Sequence, residues 1–312
     1  MLDPLIASRA VHFASSLVVG GAAIFSAFVA RPIHADSVSE RHLEAAMYAA
    51  LALAVLSGAT WLLYLASRIA QSSVAEVISD GTAWSLLTET QFGFVWQGRL
   101  LIAILLFCNR LFGLRVRGLR AFSVQAALAV AFVGMLAWSG HAAGTMGFVG
   151  FLHFGGDVLH LVTAAAWVGG LVPLLMFVGP RARTQPPLVD RFRVLRRFST
   201  LAALSVTVLA ASGMLNTWFM TNELRNFLGT QYGDLVLVKV ALLLVMLGFG
   251  AANRYWLTPR LLPTHAATEG DTRAVRLLCV SVSLEIVLGL VVICVVAILG
   301  QLPPPGHMHH MA

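Results

Sequence analysis

The stretch TQYGDLVLVKVALLLVMLGFGAA, residues 230–252, opens on a polar Thr-Gln pair and a glycine, then runs apolar for the width of a bilayer with one cation, Lys239, inside it. A helix needs about 20 largely apolar residues to cross the hydrocarbon core. The pattern occurs once before: TQFGFVWQGRLLIAILLFCNR, residues 90–110, places Arg99 six residues after Gly93, as Lys239 stands six after Gly233. Asn109-Arg110 closes the earlier stretch and Asn253-Arg254 the later one. A motif used twice at the head of bilayer-length apolar runs predicts an all-α, polytopic membrane protein with an internal repeat.

Eight stretches qualify as spans, approximately 5–30, 43–66, 94–112, 120–140, 151–178, 198–219, 234–252 and 276–299. The composition agrees, since 58% of the 312 residues are hydrophobic and 11% charged, where a soluble domain carries roughly 25% charged. That excludes a disordered chain and a large aqueous domain. The three cysteines, Cys108, Cys279 and Cys294, form no C-x-x-C pair, so neither a disulfide framework nor a thiolate metal site is expected. Residues 67–93 form the one long connection. Met1 to Ser8 has no basic run and contains Asp3, so no cleavable signal peptide is expected and the first span is retained.

The net charge of +7 does not indicate nucleic acid, because most of the basic residues sit in short connections. Arg31 and Arg41 follow span one, four Arg follow span three, six follow span five and four follow span seven, sixteen of the twenty-one Lys and Arg. Positive residues mark cytoplasmic loops, which places both termini on the outer side of the membrane.

The second four spans echo the first four in the same orientation, dividing the chain into halves 1–140 and 141–300 and a tail 301–312. His12 with Gly20-Gly21 in span one corresponds to His160 with Gly169-Gly170 in span five. Ser57-Gly58 in span two corresponds to Ser212-Gly213 in span six, and a constant offset pairs Gln125 with Glu285. Parallel repeats imply a pseudo-twofold axis along the membrane normal, with the site between the halves. Arg9 and Asp157 then occupy corresponding places, three residues before each histidine.

His12 and His160 fall in the outer half of their spans. His153, Asp157 and His160 are spaced i, i+4, i+7 on one helical face, and His141 stands where span five begins. Imidazoles and a carboxylate converging from several helices suit a divalent copper or zinc ion. His153 and His141 also read as headgroup-level anchors, and Asp157 as the ion-pair partner of Arg9, which is compatible with ligation. Glu285, near the middle of span eight, must be partnered or protonated. Lys239, a water-filled cavity or a proton-coupled step are the readings open for it. Met135, Met214 and Met220 offer thioethers for a Cu(I) path or simply pack. The tail carries His307, Met308, His309, His310 and Met311, a tract with donors for Cu(II) and Cu(I) alike, unless it is an appended tag.

Taken in order, Arg9-x-x-His12, Ser139-Gly140-His141-Ala142, Asp157-x-x-His160, Trp167-x-Gly169-Gly170, the Thr-Gln-Tyr-Gly motif with Lys239, Asn253-Arg254 and Glu285 resemble the copper-resistance D (CopD/PcoD) family. The resemblance covers all eight spans and implies copper handling across the inner membrane, described for the family as uptake in cooperation with a periplasmic copper protein of CopC type. Three functions remain open: a copper permease or channel; a haem b electron carrier or metal reductase using His12 and His160 as axial ligands; and a non-transporting membrane partner that docks the periplasmic copper protein. No Ser/His/Asp constellation, phosphate loop or redox cysteine pair indicates an enzyme.

Overall fold

The computed structural model describes residues 3–30, 37–113, 119–139, 147–179, 187–220, 229–261 and 269–302, and among them there is helix and no strand. Helix α1 (Pro4–Phe25) starts with Asp3 accepting the Leu5 N–H at 2.9 Å and Pro4 in its first turn, and a π turn (Ser26–Ala30) extends it. There follow α2 (Ser37–Ala70), α3 (Val74–Ser79), α4 (Thr82–Glu89), α5 (Gln91–Gly113) and α6 (Leu119–Gly134), the last prolonged by a 3₁₀ turn to Ser139. Helix α7 (Gly147–Ala164) passes through a π turn (Ala165–Gly169) into α8 (Gly170–Val178). Pro173 in α8 has no N–H to continue the ladder, which is consistent with irregular winding just before it. The chain closes with α9 (Leu188–Met220), α10 (Gln231–Ala252) and α11 (Glu269–Leu299).

Seven of these segments are long and apolar enough to cross a membrane: Pro4–Ala30, Arg41–Ala70, Gln91–Asn109, Gly150–Val178, Val189–Trp218, Gln231–Leu261 and Arg273–Leu299. They match seven of the eight expected spans. The remaining one, expected over 120–140, is a shorter apolar helix, Ser123–Trp138. The long connection 67–93 is not irregular. Gln71 at φ +53° ends α2, and a reciprocal capping box between Ser73 and Glu76 starts α3. Gly81, at φ +84°, takes the left-handed conformation that lets α4 turn away.

Helix α1 packs against α2, α6, α8, α11 and the 165–169 π turn, and so forms the centre of the molecule. One apolar core joins Val19, Met47, Ala54, Leu106 and Phe132, all from the first six helices. A second joins Trp167, Leu171, Phe198, Met246 and Leu278 with Phe25 from α1. Leu17, Val133, Ala165 and Ile293 form a smaller cluster linking elements of both. Where α1 crosses the π turn, a Cβ on Gly21 would stand 2.2 Å from the Gly169 carbonyl carbon, and one on Gly169 would stand 1.9 Å from the Leu17 carbonyl oxygen. Small residues at such a crossing let two membrane helices touch backbone to backbone.

The repeated motif has a local cause. Thr90 Oγ1 accepts the Gly93 N–H at 3.0 Å, and its carbonyl accepts the Phe94 N–H at 3.0 Å. Thr230 repeats both bonds, at 3.0 Å to Gly233 and 3.0 Å to Asp234. Each threonine caps the helix that carries Arg99 or Lys239. Thr90→Val and Thr230→Val are each expected to cost about 1 kcal/mol, read as a lower thermal midpoint in detergent; unchanged midpoints in both would remove this account of the motif.

Candidate functional site: a polar cavity beside the first helix

A cavity of about 480 Å³ lies between α1 and helices α7, α9, α10 and α11. Most of its wall is apolar, and Arg9, Asp157, His160, Asn216, Tyr232 and Lys239 contribute polar groups. Apolar walls with a few convergent polar groups are the usual form of a small-ligand site.

His160 enters from α7 with its tautomer set by α9. Ser212 gives its hydroxyl proton to the Leu209 carbonyl (3.2 Å), so its oxygen accepts Nδ1–H of His160 at 3.1 Å. That leaves Nε2 with a lone pair, the form in which imidazole binds a metal. Asp157, one turn earlier, accepts a bond of 2.5 Å from Asn216 Nδ2. Asn216 Oδ1 is buried and has no hydrogen-bond partner among the described residues.

The groups around His12 are arranged differently. His12 is fully buried; its Nδ1–H donates to the Ala54 carbonyl at 2.8 Å, and its Nε2 accepts from Arg99 Nη2 at 3.0 Å. Arg99, 1% exposed, also donates to Ser16 Oγ at 2.9 Å and to the Phe132 carbonyl, with its guanidinium 4.0 Å from the Phe132 ring centroid. Trp96 and Trp61 close over His12, with ring centroids 4.8 and 5.6 Å away. Both histidines hold the same tautomer, but a guanidinium covers the lone pair of His12. A metal or haem iron on His12 would have to displace Arg99.

The expected ion pair between Arg9 and Asp157 does not form, although both line the cavity. Arg9 Nη1 donates instead to the Gly300 carbonyl at 3.0 Å, at the negative end of α11, and its guanidinium lies 5.2 Å from the Trp61 ring centroid. A Cβ on Gly300 would come within 2.0 Å of Arg9 Nη2, so the glycine makes room for this contact. Nor does Lys239 neutralise Glu285. Glu285 is 2% exposed and accepts a bond of 2.6 Å from Asn253 Nδ2, on the π turn that follows α10, while Lys239 faces the cavity.

His153 is buried but is not part of the cavity wall. Met214 is exposed and Met135 packs over Gly98, so neither supplies a thioether to the cavity. His141 and the tail residues His307 to Met311 lie outside the described residues. Among the described residues no three His, Cys, Asp or Glu side chains converge as a metal-binding group. Arg99, Asn216 and Asn253 were not among the expected site residues; the available signal was a polar side chain inside an apolar run.

Two family models match the chain: Copper resistance protein D-like, N-terminal domain, over residues 1–151, and Copper resistance protein D over residues 192–299. Among curated proteins it is similar to Inner membrane protein YebZ of Escherichia coli (strain K12), 29% identical over 96% of this chain and 98% of that protein. It is also similar to Copper resistance protein D of Pseudomonas syringae pv. tomato, 29% identical over 97% of this chain and 98% of that protein. Copper transport protein CutJ of Bacillus subtilis (strain 168) is 28% identical over 70% of this chain and 38% of its own length. No solved structure matches.

Proposed function

Since the chain belongs to the copper resistance protein D family, we propose that it is a copper permease or channel of the bacterial inner membrane, not an enzyme, importing copper delivered by a periplasmic CopC-type donor. The observation that carries this reading is the cavity in which His160, with Nε2 uncovered, and Asp157 stand on one face of α7. Imidazole nitrogen and carboxylate oxygen are suitable donors for Cu(II). Two protein donors are too few to trap the ion, and a permeating ion must be held weakly enough to leave. His141 is proposed to join the sphere as copper arrives, with His153 a buried neighbour on the helix of His160 and His12 held in reserve behind Arg99. Cu(I) remains within reach through the methionines of the tail.

The proposal includes eight spans arranged as two parallel four-helix halves, 1–140 and 141–300, both termini periplasmic. It is supported by the matched threonine caps, by the meeting of the corresponding glycines of α1 and the π turn, and by the His12, Ser57, Arg99 set recurring as His160, Ser212, Lys239. Arginine-rich connections facing the cytoplasm put His160 in the outer half of the bilayer, where a periplasmic donor can reach it. The haem alternative is weakened by the engagement of both His12 nitrogens.

Copper flux into proteoliposomes tests the reading. Flux above protein-free vesicles supports it. Bound copper without flux favours a docking partner, and absorption in the Soret region favours haem. Removing residues 303–312 is expected to slow uptake at low copper only, since hydrated tail ligands raise capture without forming the path; equal loss at all copper concentrations would make the tail part of the path.

A further inference from the structure

The fixed charges of the cavity do not match a bare cation. Arg9 and Lys239 both line it, against one carboxylate, Asp157. Among the described residues neither cation makes an ion pair. Arg9 is 8% exposed, its Nη1 is held by the neutral Gly300 carbonyl and its buried Nε has no partner among the described residues, so no carboxylate neutralises this guanidinium at the wall. Arg99, the counterpart of Lys239, shows what a cation here can do when no space is left, since it donates to His12, Ser16 and Phe132. Among the described residues Lys239 has no such set of acceptors, and it lines a cavity instead.

A hydrated divalent ion entering this space meets two like charges for one opposite charge, and the apolar wall screens them little. An anion meets the reverse. Guanidinium and ammonium groups near one imidazole are therefore suited to a metal that arrives already wrapped in carboxylates, with an open coordination position for Nε2 of His160.

We infer that the cavity takes copper as a carboxylate-bearing chelate rather than as the aqua ion, Arg9 and Lys239 receiving the carboxylates while His160 and Asp157 face the metal. This rests on the copper reading above and specifies its substrate class. Charge selection of this kind would also keep simple divalent aqua cations out of a site with few donors.

The test is initial copper flux into proteoliposomes holding the full chain, with copper supplied in three forms: the aqua ion, the anionic nitrilotriacetate complex, and the cationic tris(2-aminoethyl)amine complex, which carries no carboxylate. Both chelators suppress free copper. Flux from the nitrilotriacetate complex is expected to exceed that from the amine complex by about tenfold or more. Arg9→Gln and Lys239→Gln should each erase most of that preference, read as the ratio of flux from the two complexes in the same variant. Flux that follows free copper alone, or equal flux from both complexes, would overturn the inference and leave the copper reading standing. No flux from any form would defeat the transport reading itself, and the inference with it. Should either variant fail to fold, the comparison of the two complexes on the unaltered chain still decides.

Discussion

Replacing His160 with alanine is expected to abolish copper bound at membrane depth and, with it, copper flux. The imidazole lines the cavity with no donor among the described residues on Nε2, because Ser212 fixes the other nitrogen as the donor. An alanine leaves Asp157 as the sole charged oxygen donor of that face, already tied to Asn216. Ser212→Ala tests the same point more gently: the ring stays, its tautomer and orientation are freed, and metal affinity should fall about 10–100-fold. His12→Ala is expected to act differently. It removes an acceptor from the fully buried Arg99, so the cost appears as stability, about 1–3 kcal/mol or more, with little copper lost. Metal content per chain and an absorption spectrum of the three variants beside the unaltered protein distinguish these outcomes. Unchanged copper in His160→Ala would eliminate the intramembrane site, and a haem spectrum lost on substitution at His12 or His160 would promote the haem reading.

The contrast between the two histidines marks where sequence reasoning stops. The apolar runs were legible because bilayer length is a one-dimensional property, and seven of them stand as helices over the expected stretches, two of which run about nine residues further, from Val189 and to Leu261. The Thr-Gln-x-Gly motif was legible as a repeat but not as a cap, since capping depends on a hydroxyl meeting an amide three residues on. Spacing placed Asp157 and His160 on one face, and both reach the cavity; it could not tell that His153 on the same face does not. Charge arithmetic paired Arg9 with Asp157 and offered Lys239 as one of three readings for Glu285. It failed because neutral groups compete for the same charges: the Gly300 carbonyl takes Arg9, Asn216 takes Asp157 and Asn253 takes Glu285. In a low-dielectric interior an amide or carbonyl fixed at hydrogen-bond distance wins over a countercharge on another helix that is out of reach.

The second large effect is expected at the crossing of α1 with the π turn. Gly169→Ala would drive a methyl group to within 1.9 Å of the Leu17 carbonyl oxygen, and Gly21→Ala would place one 2.2–2.5 Å from Gly169, Gly170 and the Ala165 carbonyl. Every obstructing atom belongs to backbone, so no rotamer change relieves the clash and the two helices must separate. Overpacking of this kind costs about 1–3 kcal/mol or more, here at the centre of the molecule, where α1 touches α2, α6, α8 and α11. Gly248→Ala is the control, because nothing lies within 4 Å of a Cβ there and alanine is the better helix former. Thermal unfolding in detergent should show Gly21→Ala and Gly169→Ala well below the unaltered chain and Gly248→Ala level with it or above. The crossing also forms the support of the site: α1 brings Arg9, and the helix that carries His160 runs straight into the π turn. Separating them should therefore weaken copper binding along with stability, whereas a destabilised protein with undiminished copper affinity would show that the crossing holds the fold together without positioning the cavity.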